Sequence, residues 1–345
     1  MKSVFLTEPG RFAIREVPDP SITHPSEVLL RMQAVGVCGS DLHYFRTGRI
    51  GDQVLREPWV MGHECTAVVE RVGSAVAGLA PGDRVAVDPL VACGRCDQCL
   101  AGRINTCRKQ RFLGCPGQCP GCMSELLVMP SACCLPVPEH LSVGSAVMVE
   151  PFAIALHALH LAGGTAELAI GILGSGPIGL CVLGALQLSK PRAVHVTDKL
   201  AYRLAQARAL GATATHELGA GHAVTEILKR EPLGLDVVFD CSGEQAALDQ
   251  SLHLLKPGGT LVIVGIPELD RVSFDINLMR RKELRIENVR RQNECTPDAI
   301  EILSSGRVNL DAVVTHHFEA AESQTAFDCV ANYRDGVSKA LVHFS

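Results

Sequence analysis

The chain is poor in aromatic residues, at 4% of 345 positions, while apolar residues make up 47% and glycines number 32. Its interior is therefore expected to be aliphatic strands and helices joined by many tight turns. A basic stripe is also missing. Arg108-Lys109 with Arg111, and Arg280-Arg281-Lys282 with Arg285, are short clusters, and the net charge is −5. That balance argues against a nucleic-acid partner and leaves both clusters solvated or facing a cofactor. Met1-Lys2-Ser3-Val4 lacks the apolar stretch of a signal peptide. The 15 cysteines are an odd number, which excludes a complete disulfide framework within one chain. Without a secretory signal they point to a reducing compartment, the cytoplasm, with thiols as ligands or core residues. The uncharged run Leu168–Leu188 is long enough to cross a bilayer. Its five glycines and Pro177 make it a buried strand, turn and helix instead, so no membrane partner is expected.

The length suits two domains. Residues 1–150 read as short strands broken by turn signals, such as Glu27–Met32, Thr66–Val72 and the Pro81-Gly82-Asp83 turn before Arg84–Val87. From about 151 the texture changes. An apolar helix (Phe152–Leu161) leads into strand Leu168–Leu173, a helix from Ile178, strand Ala193–Thr197, helix Tyr202–Leu210, strand Asp236–Phe239, helix Gln245–Leu255 and strand Thr260–Val264. Strands alternating with helices imply a doubly wound parallel sheet, so the fold class is α/β. The alternation ends near 285, and 286–345 is expected to return to the first domain. No repeat or low-complexity linker interrupts the chain.

Gly174-Ser175-Gly176-Pro177-Ile178-Gly179 follows the strand Ala169–Leu173 and opens a helix. The first glycine permits a tight turn, the second lets backbone approach a pyrophosphate, and the third lets helix pack on strand. The pyrophosphate would meet the unpaired N–H groups of a helix N-terminus. Asp198 ends the next strand, where a carboxylate accepts both ribose hydroxyls of NAD and repels the extra phosphate of NADP. Arg203 is expected at the adenosine end, and Val264, Gly265, Ile266 and Arg290 complete the predicted cofactor contacts. NAD is favoured over NADP.

Cys93-x2-Cys96-x2-Cys99-x7-Cys107 is the most specific motif. Four thiolates so spaced wrap one tetrahedral zinc and close every coordination position, which makes this zinc structural. A second set is scattered: Cys38 in Val37-Cys38-Gly39-Ser40-Asp41-Leu42-His43, and His63-Glu64 after Gly62. Beside a dinucleotide fold these suggest a mixed S/N/O zinc site with an open position, where the metal lowers the pKa of an alcohol.

With these motifs the chain resembles the zinc-containing medium-chain alcohol dehydrogenases, nearest the sorbitol (polyol) dehydrogenase branch. The resemblance runs through Cys38–Tyr44, Gly48–Gly51, Gly62-His63-Glu64, Pro81–Val85, Glu150-Pro151, the glycine loop and Val314-Thr315-His316. It implies a mainly-β GroES-like catalytic domain over 1–150, which carries the zinc lobe, and a Rossmann domain over 151–285. It implies Cys38, His63 and Glu64 as the catalytic zinc set, with Glu150 an acidic neighbour of metal and substrate. Ser40 and His43 would carry the alcohol proton to solvent while the hydride passes to NAD. Tyr44 and Arg291 would contact substrate. By resemblance the chain is a homodimer or homotetramer.

Three departures from the family pattern stand out. Ala67 replaces a usual glycine, at little cost if its φ is negative. Cys115, Cys119 and Cys122 crowd a loop that is polar in relatives; they could bind another metal or form a disulfide, and with no fourth ligand evident free thiols are the favoured reading. Gln292 replaces a tyrosine beside Arg291, so Arg290, Arg291 and Gln292 would also suit a carboxylate or phosphate. A sugar-acid or sugar-phosphate substrate therefore stands beside a polyol. Threonine is disfavoured by Leu90, where its dehydrogenases tend to carry histidine, and a simple-alcohol dehydrogenase is a further alternative. The contrasting class is a non-enzymatic zinc protein, against which the acidic balance counts.

Overall fold

The computed structural model describes residues 1–218 and 222–344. They fall into two compact units, one made of Met1–Glu150, Thr296–Gly306 and the stretch from Val314 onward, the other of Pro151–Cys295 and Arg307–Val313.

The first unit is mainly β. Its largest sheet runs in the order Cys134–Pro136, Arg84–Val87, Glu64–Val72, Glu27–Gly36, Lys339–His343, Val314–Glu319, with Leu126–Pro130 also paired to Glu27–Gly36. Glu27–Gly36 is the central strand, buried through most of its length, with Val28, Leu30, Met32 and Val35 in the core. Ala67 lies mid-strand opposite Met32 and is fully buried. An extended backbone there needs no glycine. Helix α1 (Gly39–Thr47) follows the central strand directly and stops at Gly48, whose φ of 73° only glycine adopts without strain.

Helix α2 (Val143–Ala162) is the longest, and it begins a full nine residues before the sequence expectation at Phe152. It is long and apolar enough to cross a membrane, yet 72% of its apolar window is buried inside the protein, as a core helix would be. The segment Leu168–Leu188 is, as expected, a strand (Ala169–Leu173) and a helix, α3 (Pro177–Leu186).

The second unit is a six-stranded parallel sheet in the order Ala214–Glu217, Ala193–Asp198, Ala169–Leu173, Leu235–Asp240, Leu255–Ile263, Arg285–Asn288. This is the doubly wound dinucleotide order, reversing beside Ala169–Leu173. All five residues of that strand are buried, which explains its unbroken apolar run. The sixth strand, Arg285–Asn288, lies one element beyond the alternation read from the sequence. It is a short, half-exposed edge strand with two charged residues, so it carries no apolar signal.

Candidate active site and metal centres

Three side chains in the first unit, Cys38, His63 and Glu64, are brought together by strand pairing. Gly36 at the end of the central strand pairs with Glu64 at the start of Glu64–Val72. Two residues later Cys38 leads into α1, which brings it back beside His63 and Glu64. The donor atoms of Cys38, His63 and Glu64 all lie within 4.8 Å of one another. Gly36 has no room for a side chain, since a Cβ there would meet the Glu64 carboxylate and Val147 Cγ1. Val147 and Glu150 lie three residues apart on α2, hence on one face, and this face delivers Glu150 towards the same cluster.

His63 is buried, packs with its ring tilted against Phe112 at a centroid distance of 5.3 Å, and faces Asp41 of α1, with Nδ1 3.5 Å from Asp41 Oδ1. Burial opposes a charged imidazole, but Asp41 and Cys38 outweigh it and raise the His63 pKa well above its usual value. Burial and the nearby Glu64 raise the Cys38 thiol. Burial also pushes Glu150 up to about 8, with His63 lowering it and Glu64 and Asp88 raising it further. Glu64 is paired with Lys339, whose Nζ lies 2.5 Å from Oε2 and also donates to the Val37 carbonyl. Both side chains are about 1% exposed.

This donor set fits a divalent cation. A thiol, an imidazole and several carboxyls gather around the Lys339 ammonium, and Oε2 of Glu150 and Oδ2 of Asp41 are buried without a hydrogen-bond partner. Asp41 and Lys339 were not singled out from the sequence. Asp41 sits inside a quoted motif and could have been found as an orienting partner for a histidine. Lys339 could not, because it reaches Glu64 across 275 residues of chain.

Ser40 and His43 stand three apart on α1, and the Ser40 hydroxyl donates to Cys38 Sγ at 3.3 Å. Tyr44, buried on the same helix, donates its phenol to Gln53 Oε1 at 2.8 Å and lies 3.7 Å from Cys115 Sγ. The loop cysteines are free thiols. Cys115 contacts Tyr44, and buried Cys122 meets Cys65, which with burial raises its pKa.

Cys93, Cys96, Cys99 and Cys107 converge around a short helix, Asp97–Leu100, with Sγ separations of 3.6 Å (Cys96–Cys99), 3.9 Å (Cys96–Cys107) and 4.0 Å (Cys93–Cys99). Four thiolates about 2.3 Å from one zinc stand about 3.8 Å apart, so the quartet fits a closed tetrahedral ion. Backbone amides of Cys99 and Arg108 push the Cys96 thiol down to about 6, and Arg108 pairs with Asp97 through Nε at 2.5 Å and Nη2 at 2.8 Å.

In the second unit Gly174 turns at φ 95° and Gly176 caps α3, with Pro177 at its first position. A Cβ on Gly179 would strike the Gly174 carbonyl, and Arg203 places its guanidinium beside Gly176. Asp198 is buried; its Oδ2 accepts from Ser175 N (2.7 Å) and Oγ (3.1 Å), and its Oδ1 accepts from Leu200 N (2.9 Å). The carboxylate thus fixes both the glycine loop and the start of the next helix. Gly174, Gly176 and Ile178 remain half-buried, and the loop is a cradle of backbone amides that fits a dinucleotide. Val264 and Gly265 donate their amides to the Asp240 carbonyl, and Ile266 is 45% exposed. Arg290 is exposed, and Arg291 is half-buried at a φ of 56°. Gln292 is turned inward, 3% exposed, with its Oε1 accepting from Cys295 N at 2.7 Å.

Residues 24–139 match the alcohol dehydrogenase GroES-like domain, and residues 177–305 match the zinc-binding dehydrogenase domain. The chain is 34% identical over 344 residues to the sorbitol dehydrogenase of Bacillus subtilis (strain 168), covering 99% of this chain and 97% of that one. It is 34% identical over 315 residues to the L-idonate 5-dehydrogenase of Vitis vinifera, with 89% and 85% covered. Among solved structures, a zinc-binding dehydrogenase from Sinorhizobium meliloti 1021 bound to NADP superposes with a TM-score of 0.90 at 31% identity, covering 99% of this chain and 98% of that one. The chain belongs to the zinc-containing medium-chain alcohol dehydrogenases, on the polyol dehydrogenase branch, and is an oxidoreductase acting on a small-molecule substrate.

Proposed function

We propose that this protein oxidises a secondary alcohol of a polyol or related sugar derivative, with NAD as hydride acceptor and the reaction centred on Cys38, His63 and Glu64. The observation that carries this is the triplet of half-buried Cys38 and buried His63 and Glu64, whose three donors converge beside a serine–histidine pair on one helix. Bound there, zinc supplies Lewis acidity that makes a substrate hydroxyl a far better proton donor. Cys38, His63 and Glu64 would hold it, with Glu150 the reserve carboxyl beside them. Asp41 orients the His63 ring, and Lys339 holds the Glu64 carboxyl in place. Ser40 receives the alcohol proton and His43, one turn along α1, passes it to solvent. The second zinc belongs to Cys93, Cys96, Cys99 and Cys107, where it holds the lobe.

Gly174, Gly176, Ile178 and Gly179 receive the pyrophosphate, while Asp198 accepts the ribose hydroxyls. Arg203, Val264, Gly265, Ile266 and Arg290 line the rest of the cofactor. The Asp198 carboxylate favours NAD. Tyr44, Glu150 and Arg291 are assigned to substrate. Adjacent Arg290 and Arg291 favour a second reading, a sugar acid, in keeping with the idonate dehydrogenase relative. The 15 thiols suit a cytoplasmic location and relatives suggest a homodimer or homotetramer, which light scattering would measure.

The test is NADH formation across polyols, sugar acids, sugar phosphates and simple alcohols. Turnover concentrated on polyols supports the reading. Turnover only on sugar acids moves it to the second, and none on any polyhydroxylated substrate defeats both.

A further inference from the structure

A third group of ligating side chains lies in the second unit and shares no residue with either zinc set. His157 and His160 are three apart on α2, so their rings share a face, and Cys295 approaches from the segment after strand Arg285–Asn288. The three donor atoms lie within 4.8 Å of one another, and His160 Nδ1 is 3.7 Å from Cys295 Sγ. A zinc bound to two imidazoles and one thiolate holds its ligand atoms about 3.3–3.6 Å apart, so small side-chain rotations close the site. His157 and Cys295 are buried whereas His160 is exposed, which gives a fixed base and an entry from solvent.

The segment that delivers Cys295 is built for that position. Arg291 and Glu294 hold φ values of 56° and 58°, a region non-glycine residues seldom occupy. The Cys295 amide is fixed by Gln292 Oε1 at 2.7 Å, and its thiol donates to the Asn293 carbonyl at 3.4 Å. Two imidazoles and one thiol form a borderline-soft trio suited to zinc, with the fourth position left to water.

We propose that His157, His160 and Cys295 form a third zinc site, which ties the Arg290–Cys295 segment to α2. Binding releases the Cys295 thiol proton to solvent, and the thiolate replaces its hydrogen bond to Asn293 with a bond to the metal. The site rests on none of the residues assigned to catalysis, so its failure would leave the proposed reaction untouched.

The test is a Co2+ titration of the full-length protein with its other two sites filled by zinc, read as the near-ultraviolet thiolate-to-cobalt band. The wild type should develop the band with one added equivalent. Cys295→Ser should not develop it, and His160→Ala, a change at an exposed position that leaves packing intact, should weaken Co2+ binding about tenfold or more. Metal analysis after Zn2+ saturation should give one zinc fewer in both variants. Absence of the band in the wild type overturns the proposal, as does an undiminished band in both variants.

Discussion

At the residue scale, the fate of Glu64 depends on a partner at the far end of the chain. Lys339 and Glu64 are both buried, and neither charge has water to fall back on. Removing one member of such a pair costs about 3–5 kcal/mol, because the other is left uncompensated. Lys339→Met should therefore lower the melting temperature of the zinc-free protein sharply and weaken zinc binding at the Cys38 site. Differential scanning fluorimetry with and without Zn2+ checks this, and an unchanged melting temperature would refute the pairing as a structural device. Asp198 carries a double duty of the same kind. It already accepts from Ser175 and Leu200, so it stands preset for ribose with little freedom to rotate. Asp198→Ala should raise the KM for NAD about tenfold or more while narrowing the preference over NADP, since a charged acceptor contributes about 1.5–3 kcal/mol. Steady-state kinetics with both cofactors measures it.

At the element scale, two adjacent strands, Ala193–Asp198 and Ala214–Glu217, bring His195 and His216 within 3.2 Å. Burial and the His195 neighbour push His216 down to about 4, and burial lowers His195 despite Glu231 at 3.3 Å. The unfolded chain therefore binds protons that the folded one refuses. Stability should be full above about pH 6.5 and fall as the pH drops from there towards 4. Melting temperature against pH should show this loss, and His216→Gln should flatten it. Local elements were the most legible part of the sequence. The strand–glycine–helix unit and the cysteine quartet each lie within a short stretch, and spacing alone exposes their chemistry. Arg285–Asn288 was not legible, because a half-exposed edge strand has neither an apolar run nor a clean alternation. The early start of α2 was hidden in the same way, since Val143-Gly144-Ser145-Ala146 carries few helix signals.

At the scale of the whole molecule, the sequence disclosed which chemistries are present more readily than which groups share a site. Cys38, His63 and Glu64 could be joined only through the resemblance to a family, and strand pairing at Gly36 and Glu64 supplies the physical reason they meet. Lys339 and the His157–His160–Cys295 group depend on contacts between distant segments, and no periodicity signals such pairs. The bond from the Cys295 amide to Gln292 Oε1 likewise has no signature in the sequence. The account rests on one claim: alcohol oxidation takes place at the mixed Cys38–His63–Glu64 centre and not at the more conspicuous quartet. Metal content, turnover and melting temperature of Cys38→Ala, taken together, test it most directly. The prediction is one zinc fewer per chain and no NAD reduction, with melting within a few degrees of the wild type. Unchanged zinc content or retained turnover would contradict it.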